Sequence, residues 1–228
     1  MARIGLFFGT NSGSTRKIAK QIKKRFDDDT MAEPVNINKA TVDDLLAYDY
    51  LILGTPTLGD GLLPGIEAEC DDESWAEALV KFKGTSFAGK TVALFGLGDQ
   101  DTYGHEFVNG LILLYDFFKD AGAKIVGAWP TDGYDFTESQ SVIDDKFVGL
   151  AIDQDIQPEL TAERVERLAQ ADRSRVRFEH LSTTGRRSPS APTPCRGQGR
   201  SHEERARPAA RAWAGGFCGR GLDPDSGL

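Results

Sequence analysis

Cysteine is scarce in this chain of 228 residues. There are three, Cys70, Cys195 and Cys218, and their spacing suits neither a metal site nor a disulfide framework. That usage fits a reducing compartment, and a cytoplasmic location is the expectation. No apolar run approaches the roughly 20 residues of a membrane span, and the N-terminus enters a strand directly, without a signal-peptide pattern. Lysine is absent from residues 171–228, where 11 arginines face 6 acids. In the first 170 residues the balance reverses, with 16 basic against 29 acidic side chains. So acidic a body argues against nucleic acid and anionic membranes as ligands, and for a basic protein partner.

What is present is an alternation of apolar runs and amphipathic segments. Strands are predicted at Ile4–Phe8, Pro34–Ile37, Tyr50–Gly54, Thr91–Phe95 and Ile125–Trp129, with a further buried run at Phe147–Ile152. Helices are predicted at Ser14–Phe26, Thr41–Leu46, Ser74–Phe82, Phe107–Ala121 and Thr161–Gln170. Thr41, Ser74 and Thr161 are the predicted N-caps, Glu77 completes a capping box with Ser74, and Gly122 stops the fourth helix. Apolar strands alternating with helices mean an α/β fold with a parallel sheet covered on both faces. Five strands at this spacing fit a doubly wound sheet of order 2-1-3-4-5. The stretch between Trp129 and Phe147 reads as an insertion that splits or extends the fifth strand, and its polar part reads equally as a solvated loop.

Residues 171–228 are different material. They hold five of the ten prolines, and apolar periodicity stops. Disorder is expected there. The arginine, proline and glycine bias also matches a shifted reading frame, with a functional basic tail as the alternative. The domain boundary is therefore expected after Gln170.

Chemistry concentrates in three loops. Thr10-Asn11-Ser12-Gly13-Ser14-Thr15 follows the first strand and opens a helix. A helix N-terminus offers unpaired N–H donors and partial positive charge, and the hydroxyls add neutral donors. The loop has no lysine, so it is not a Walker A motif. It suits a phosphate monoester that stays bound rather than one being transferred. After the third strand comes Thr55-Pro56-Thr57-Leu58-Gly59-Asp60-Gly61, and after the fourth Gly96-Leu97-Gly98-Asp99-Gln100-Asp101-Thr102-Tyr103-Gly104. Each of the last two carries one bulky residue, Leu58 or Tyr103. Any one of the three could be an ordinary turn. Together they describe a slot for a planar ring with a phosphorylated tail, because ligands of open α/β sheets sit at the carboxyl ends of the strands.

With these motifs in order, the chain resembles the flavodoxin family over about residues 2–170. Residues Thr10–Thr15 resemble its phosphate loop, Gly54–Gly59 its first ring loop, and Gly96–Gln100 with Tyr103 its second. Thr131–Phe136 and Lys146–Ala151 resemble the insertion of long-chain members. Leu58-Gly59 with Phe95–Gln100 looks most like the flavodoxins of nitrogen-fixing bacteria.

The resemblance implies non-covalent FMN as cofactor. Its phosphate would sit on Thr10, Asn11, Ser12, Gly13, Ser14 and Thr15. The ring would lie between Leu58 and Tyr103, with Thr57, Gly59, Gly61, Leu97, Gly98 and Asp99 around it. It implies a low-potential one-electron carrier working on the semiquinone/hydroquinone couple, not an enzyme. The carbonyl of Gly59 would accept the flavin N5 proton, and Asp60, Asp99 and Asp101 would disfavour the anionic hydroquinone. The implied partners are redox proteins with basic surfaces: a reductase as donor and nitrogenase reductase as acceptor, met by a monomer.

The acidic stretch Glu67, Glu69, Asp71, Asp72, Glu73 would steer such a partner, unless it is simply a solvated face. His105 reads as a surface residue and Cys70 as a bystander thiol. The competing enzyme reading is an FMN-dependent NAD(P)H:quinone-type oxidoreductase, for which no second nucleotide fingerprint is found. A two-component receiver domain is excluded, because Gly9-Thr10 and Thr55-Pro56 stand where its acidic residues belong.

Overall fold

The structure, a computed structural model, describes the backbone of residues 3–184 and the side chains of residues 3–175. Its strands are β1 (Ile4–Phe8), β2 (Val35–Asn36), β3 (Tyr50–Pro56), β4 (Thr91–Gly98), β5 (Lys124–Val126), β6 (Trp129–Pro130), β7 (Val142–Ile143), β8 (Lys146–Phe147) and β9 (Leu150–Asp153). The helices are α1 (Ser14–Lys23), α2 (Val42–Leu46), α3 (Trp75–Phe82), α4 (Gly110–Asp120) and α5 (Thr161–Thr184).

Strand order in the main sheet is β2-β1-β3-β4-β5, all parallel, as the alternating pattern predicts. Both faces are covered by helices, so Leu51, Ile52, Leu53, Val92, Ala93, Leu94 and Phe95 are fully buried in succession.

The fifth strand comes in two pieces. β5 and β9 both pair with β4, β5 beside Thr91–Ala93 and β9 beside Phe95–Gly98. Between them the chain leaves the sheet and makes a small antiparallel sheet of order β6-β8-β7. The expected run Ile125–Trp129 therefore breaks after Val126. Gly127 has φ 88°, and Trp129 joins the small sheet instead. Aromatic contacts join this insertion to the body: the Phe107 ring stacks on Phe136 at 5.6 Å between centroids and meets Phe147 edge-on at 5.8 Å. Two arginines of α5 stack on its rings, Arg164 on Tyr134 at 4.0 Å and Arg167 on Trp129 at 4.5 Å.

Two further expectations need correction. The fourth helix starts at Gly110, not Phe107, because Val108 takes φ 52° and turns the chain first. The last helix does not end at Gln170 but runs to Thr184, so the expected boundary falls inside a helix. Asp172 is fully buried there and accepts from the Tyr50 hydroxyl at 2.8 Å and from Arg175 at 2.6 Å. This contact anchors the continued helix to the start of β3. The disorder expected over residues 171–228 lies, from residue 185 onward, outside the described residues.

Burial pushes the Asp172 carboxyl above its ordinary pKa, against the opposing pull of Tyr50 and Arg175. Its second oxygen has no hydrogen-bond partner, so desolvation prevails. A carboxyl whose folded pKa is raised stabilises the fold fully below its unfolded value. That contribution is lost as pH rises through the folded pKa. Asp172→Asn keeps an acceptor for Tyr50 and removes the charge. Urea midpoints from about pH 4 to about pH 7 should therefore move steadily in the variant's favour relative to the parent; a pH-independent difference would remove this account of Asp172.

Candidate functional site

Parallel register places three loop starts side by side. Phe8 pairs with Gly54, and Gly54 with Phe95. The chain therefore leaves β1, β3 and β4 at the same edge, on neighbouring strands about 4.8 Å apart. Cross-bonds join the exits. The Gly54 carbonyl accepts the Gly9 N–H at 2.9 Å and the Trp75 indole N–H at 2.8 Å. The Leu97 carbonyl accepts the Thr57 N–H at 2.9 Å.

The first loop, residues 9–13, bends sharply into α1. Gly13 has φ 91°, which a residue with a Cβ adopts only at a cost, and its N–H donates to Thr10 Oγ1 at 2.9 Å. Asn11 and Ser12 are exposed, Ser14 is half-buried, and Ser12 and Ser14 hydroxyls lie 3.3 Å apart. Thr15 is 1 % exposed, and its Oγ1 has no hydrogen-bond partner. A buried hydroxyl left unpaired costs about 1–3 kcal/mol. Here it lies in the first turn of α1, where the backbone N–H groups also lack intrahelical acceptors. The loop thus leads into a helix start where the Thr15 hydroxyl is unmet and the first-turn N–H groups lack intrahelical acceptors, the chemistry of an anion seat.

The second loop closes on itself. Leu58 and Leu62 exchange backbone hydrogen bonds at 3.0 and 2.7 Å, leaving Gly59 and Asp60 exposed at the tip. Gly59 has φ 46°, so a side chain here would sit on strained backbone. Leu58 is half-buried, and Gly61 is buried against Asn109. Thr57 faces inward: its Oγ1 accepts the N–H of Gly110 at 3.0 Å and caps α4.

The third loop carries Tyr103 on its crest, 57 % exposed. Leu97 is buried, and Gly98 is the last residue of β4, paired with Asp153. Asp99 turns back on its own loop, its Oδ1 accepting from Asp101 N–H at 3.0 Å and Thr102 N–H at 2.9 Å. Burial alone would push its pKa up. The hydrogen bonds from Thr102 and Asp101 outweigh it and hold the carboxyl below the ordinary value. One of its oxygens is thus committed to shaping the turn beneath Tyr103.

Several residues that matter here carry no mark in the sequence. Glu77, read as a helix cap, also spans the acidic loop: its carboxylate accepts from Ser74 N–H at 2.8 Å and Ile66 N–H at 2.9 Å. It thereby holds both ends of the segment bearing Glu67, Glu69, Asp71, Asp72 and Glu73. All five are exposed, and Glu73 pairs with Lys81. Cys70 is buried in that segment, while His105 is exposed. Ser141, from the insertion, accepts the N–H of Ile112 at 3.0 Å in the first turn of α4. Ser141 and Ile112 are 29 residues apart and Ile66 and Glu77 are 11, so neither contact is marked by a local pattern. Among the described residues no cluster of His, Cys, Asp or Glu could hold a metal, and no helix is long and apolar enough to cross a membrane.

Comparison with known proteins gives a consistent result. The family model described as flavodoxin matches residues 6–167. A flavodoxin of Klebsiella pneumoniae is 53% identical over 165 residues, covering 72% of this chain and 93% of that protein. Flavodoxin 1 of Escherichia coli K12 is 48% identical over 168 residues, 73% of this chain and 90% of that protein. Among solved structures, Fusobacterium nucleatum flavodoxin bound to flavin mononucleotide superposes with a TM-score of 0.69 at 32% identity, over 77% of this chain and 99% of that one.

The Gly54 carbonyl should be the most sensitive joint of this edge. Trp75→Phe removes the indole donor while Gly9 still binds the carbonyl. Loss of about 1–2 kcal/mol in urea unfolding is expected; an unchanged midpoint would show that the indole N–H contributes nothing.

Proposed function

The chain belongs to the flavodoxin family, and from that membership we propose that it carries single electrons on a non-covalently bound FMN. The residues present fit that group. The observation that carries the reading is the buried, unpartnered Thr15 hydroxyl at the head of α1, in a first turn whose N–H groups have no intrahelical acceptors. A phosphate monoester supplies the acceptors this seat lacks, and the absence of lysine leaves nothing to promote its transfer. Bound there, FMN supplies chemistry that side chains lack, since its ring takes up electrons one at a time.

The protein's part is to hold and screen. Thr10 to Thr15 bind the phosphate through backbone N–H groups and hydroxyls. Leu58 gives apolar cover to one face of the ring, and Tyr103 a stacking surface to the other. Gly59 offers its carbonyl as acceptor at the ring edge. With no Cβ, its peptide can turn toward a new donor at little cost. Thr57 and Asp99 act one step back, because their side chains are spent on α4 and on the Tyr103 turn. Asp60 and Asp101 are exposed beside the site and oppose accumulation of negative charge.

We assign the partners by charge. The acidic loop 67–73, held at both ends by Glu77, suits a short-lived complex with a basic redox protein. Leu58-Gly59 with Phe95–Gln100 supports nitrogenase reductase as the acceptor. Electron delivery to purified nitrogenase reductase should then slow as salt rises from about 0.05 to about 0.5 M. A salt-independent rate removes the charge argument, and no transfer removes the acceptor.

The first test of the cofactor is spectroscopic. Stepwise dithionite reduction of the purified protein should take it from yellow through blue to pale. Direct bleaching would mean a two-electron flavin reductase, and a colourless protein that takes up no FMN would end the reading. Thr15→Val isolates the phosphate seat. The apoprotein should lose about tenfold in affinity for FMN and nothing for riboflavin, which has no phosphate. Equal losses for both would place Thr15 elsewhere in the site.

A further inference from the structure

Gln100 is a buried polar group that the site as described leaves unused. It follows Asp99 and is 4 % exposed. Its backbone N–H donates to Asp153 Oδ2 at 3.0 Å. Its side-chain Oε1 accepts the N–H of Asp135 at 2.7 Å, which fixes the orientation of the carboxamide, since only the oxygen can face a donor. Its Nε2 is buried with no partner. Asp153 in turn spends its other oxygen on the N–H groups of Asp155 and Ile156, at 2.9 and 2.8 Å. Gln100 thus joins three segments: the base of the Tyr103 loop, the insertion and the end of β9.

From that joint the insertion runs alongside the Tyr103 loop. The Gly104 carbonyl accepts from the N–H groups of Thr137 and Glu138 at 2.9 and 2.8 Å. The Ser139 hydroxyl donates to the Phe107 carbonyl at 2.6 Å, and the Gln140 N–H to Asn109 Oδ1 at 2.8 Å. Tyr103 therefore sits on a loop gripped from its outer side by residues 135–140. Gln100 is where that grip reaches the segment below the ring. An unpaired buried donor is a standing cost. A carboxamide with one satisfied and one orphaned end is a poor choice for stability alone, and a reasonable one for setting the position of what it holds.

We propose that Gln100 is a positioning residue for the flavin ring, through which the insertion sets the placement of the Tyr103 loop. The inference rests on the FMN reading and concerns the ring side of the site only. Gln100→Met keeps the side chain's length, removes the acceptor for Asp135, and removes the orphaned donor as well. Gln100→Asn stays polar but falls one methylene short of Asp135.

The experiment titrates wild-type and variant apoproteins with FMN and with riboflavin, and measures each urea midpoint. In both variants the affinities for the two flavins should fall by the same factor, about tenfold, with the FMN-to-riboflavin ratio unchanged. The midpoint of Gln100→Met should stay at the wild-type value. Affinities within twofold of wild type, a loss confined to FMN, or a loss that merely tracks a lowered midpoint would each overturn the role given to Gln100. A wild-type apoprotein that binds neither flavin would overturn the FMN reading itself.

Discussion

One backbone oxygen holds the working edge together. The Gly54 carbonyl, near the end of β3, accepts from Gly9 on one side and from the Trp75 indole on the other. The first bond sets where the chain leaves β1 and so where the loop to α1 begins. The second pins the start of α3 under the same spot, and Glu77 on that helix then gathers in the acidic loop. Phosphate seat, first ring loop and acidic rim are thus referred to one point on the central strand. This matters because loops have little internal stability, and ligand-binding precision must come from the scaffold beneath them.

Around that point most polar side chains are already committed. Thr57 caps α4, Asp99 shapes the Tyr103 turn, Ser141 serves the first turn of α4, and Asp153 receives three N–H donors. Buried polar groups must be paired, and a scaffold that pairs them internally becomes rigid. Thr15, in the first turn of α1, is left over, as is the Nε2 of Gln100 on the ring side. At one end the site leaves a buried hydroxyl, that of Thr15, without a partner. At the other end it presents apolar Leu58 and an exposed aromatic ring. On the reading proposed above, the contrast separates a phosphate seat of unmet donors from a ring side whose surroundings are set by loop position.

The insertion contributes to that position as well as to the core, where Trp129, Phe147 and Val148 are buried. Its strands join no part of the main sheet, yet residues 135–141 follow the Tyr103 loop to the first turn of α4. Phe107 meets Tyr134, Phe136 and Phe147 as a shared aromatic cluster. Arg164 and Arg167 of α5 clasp the insertion from the other face. The same helix continues past Gln170 and is held by Asp172 against Tyr50.

The sequence by itself determined the strand order, the three loops, the helix cap at Thr41 and the capping box of Ser74 with Glu77, because each is written in short-range patterns. Apolar runs mark buried parallel strands, glycines and hydroxyls mark the loops, and a cap needs a partner only three residues away. What the tertiary structure decided is which polar atoms remain free. Thr15, Thr57 and Asp99 look equivalent as loop residues, yet the first is left unpaired while the other two are occupied by Gly110 and by the Tyr103 turn. Residue 172 looked like the start of a tail and is a buried anchor, because its partner Tyr50 lies 122 positions away in the chain. Gln100 acquires meaning only when Asp135 and Asp153 are folded against it. Hydrogen-bond satisfaction is a property of neighbours in space, and chain-distant neighbours leave no periodic trace in the sequence.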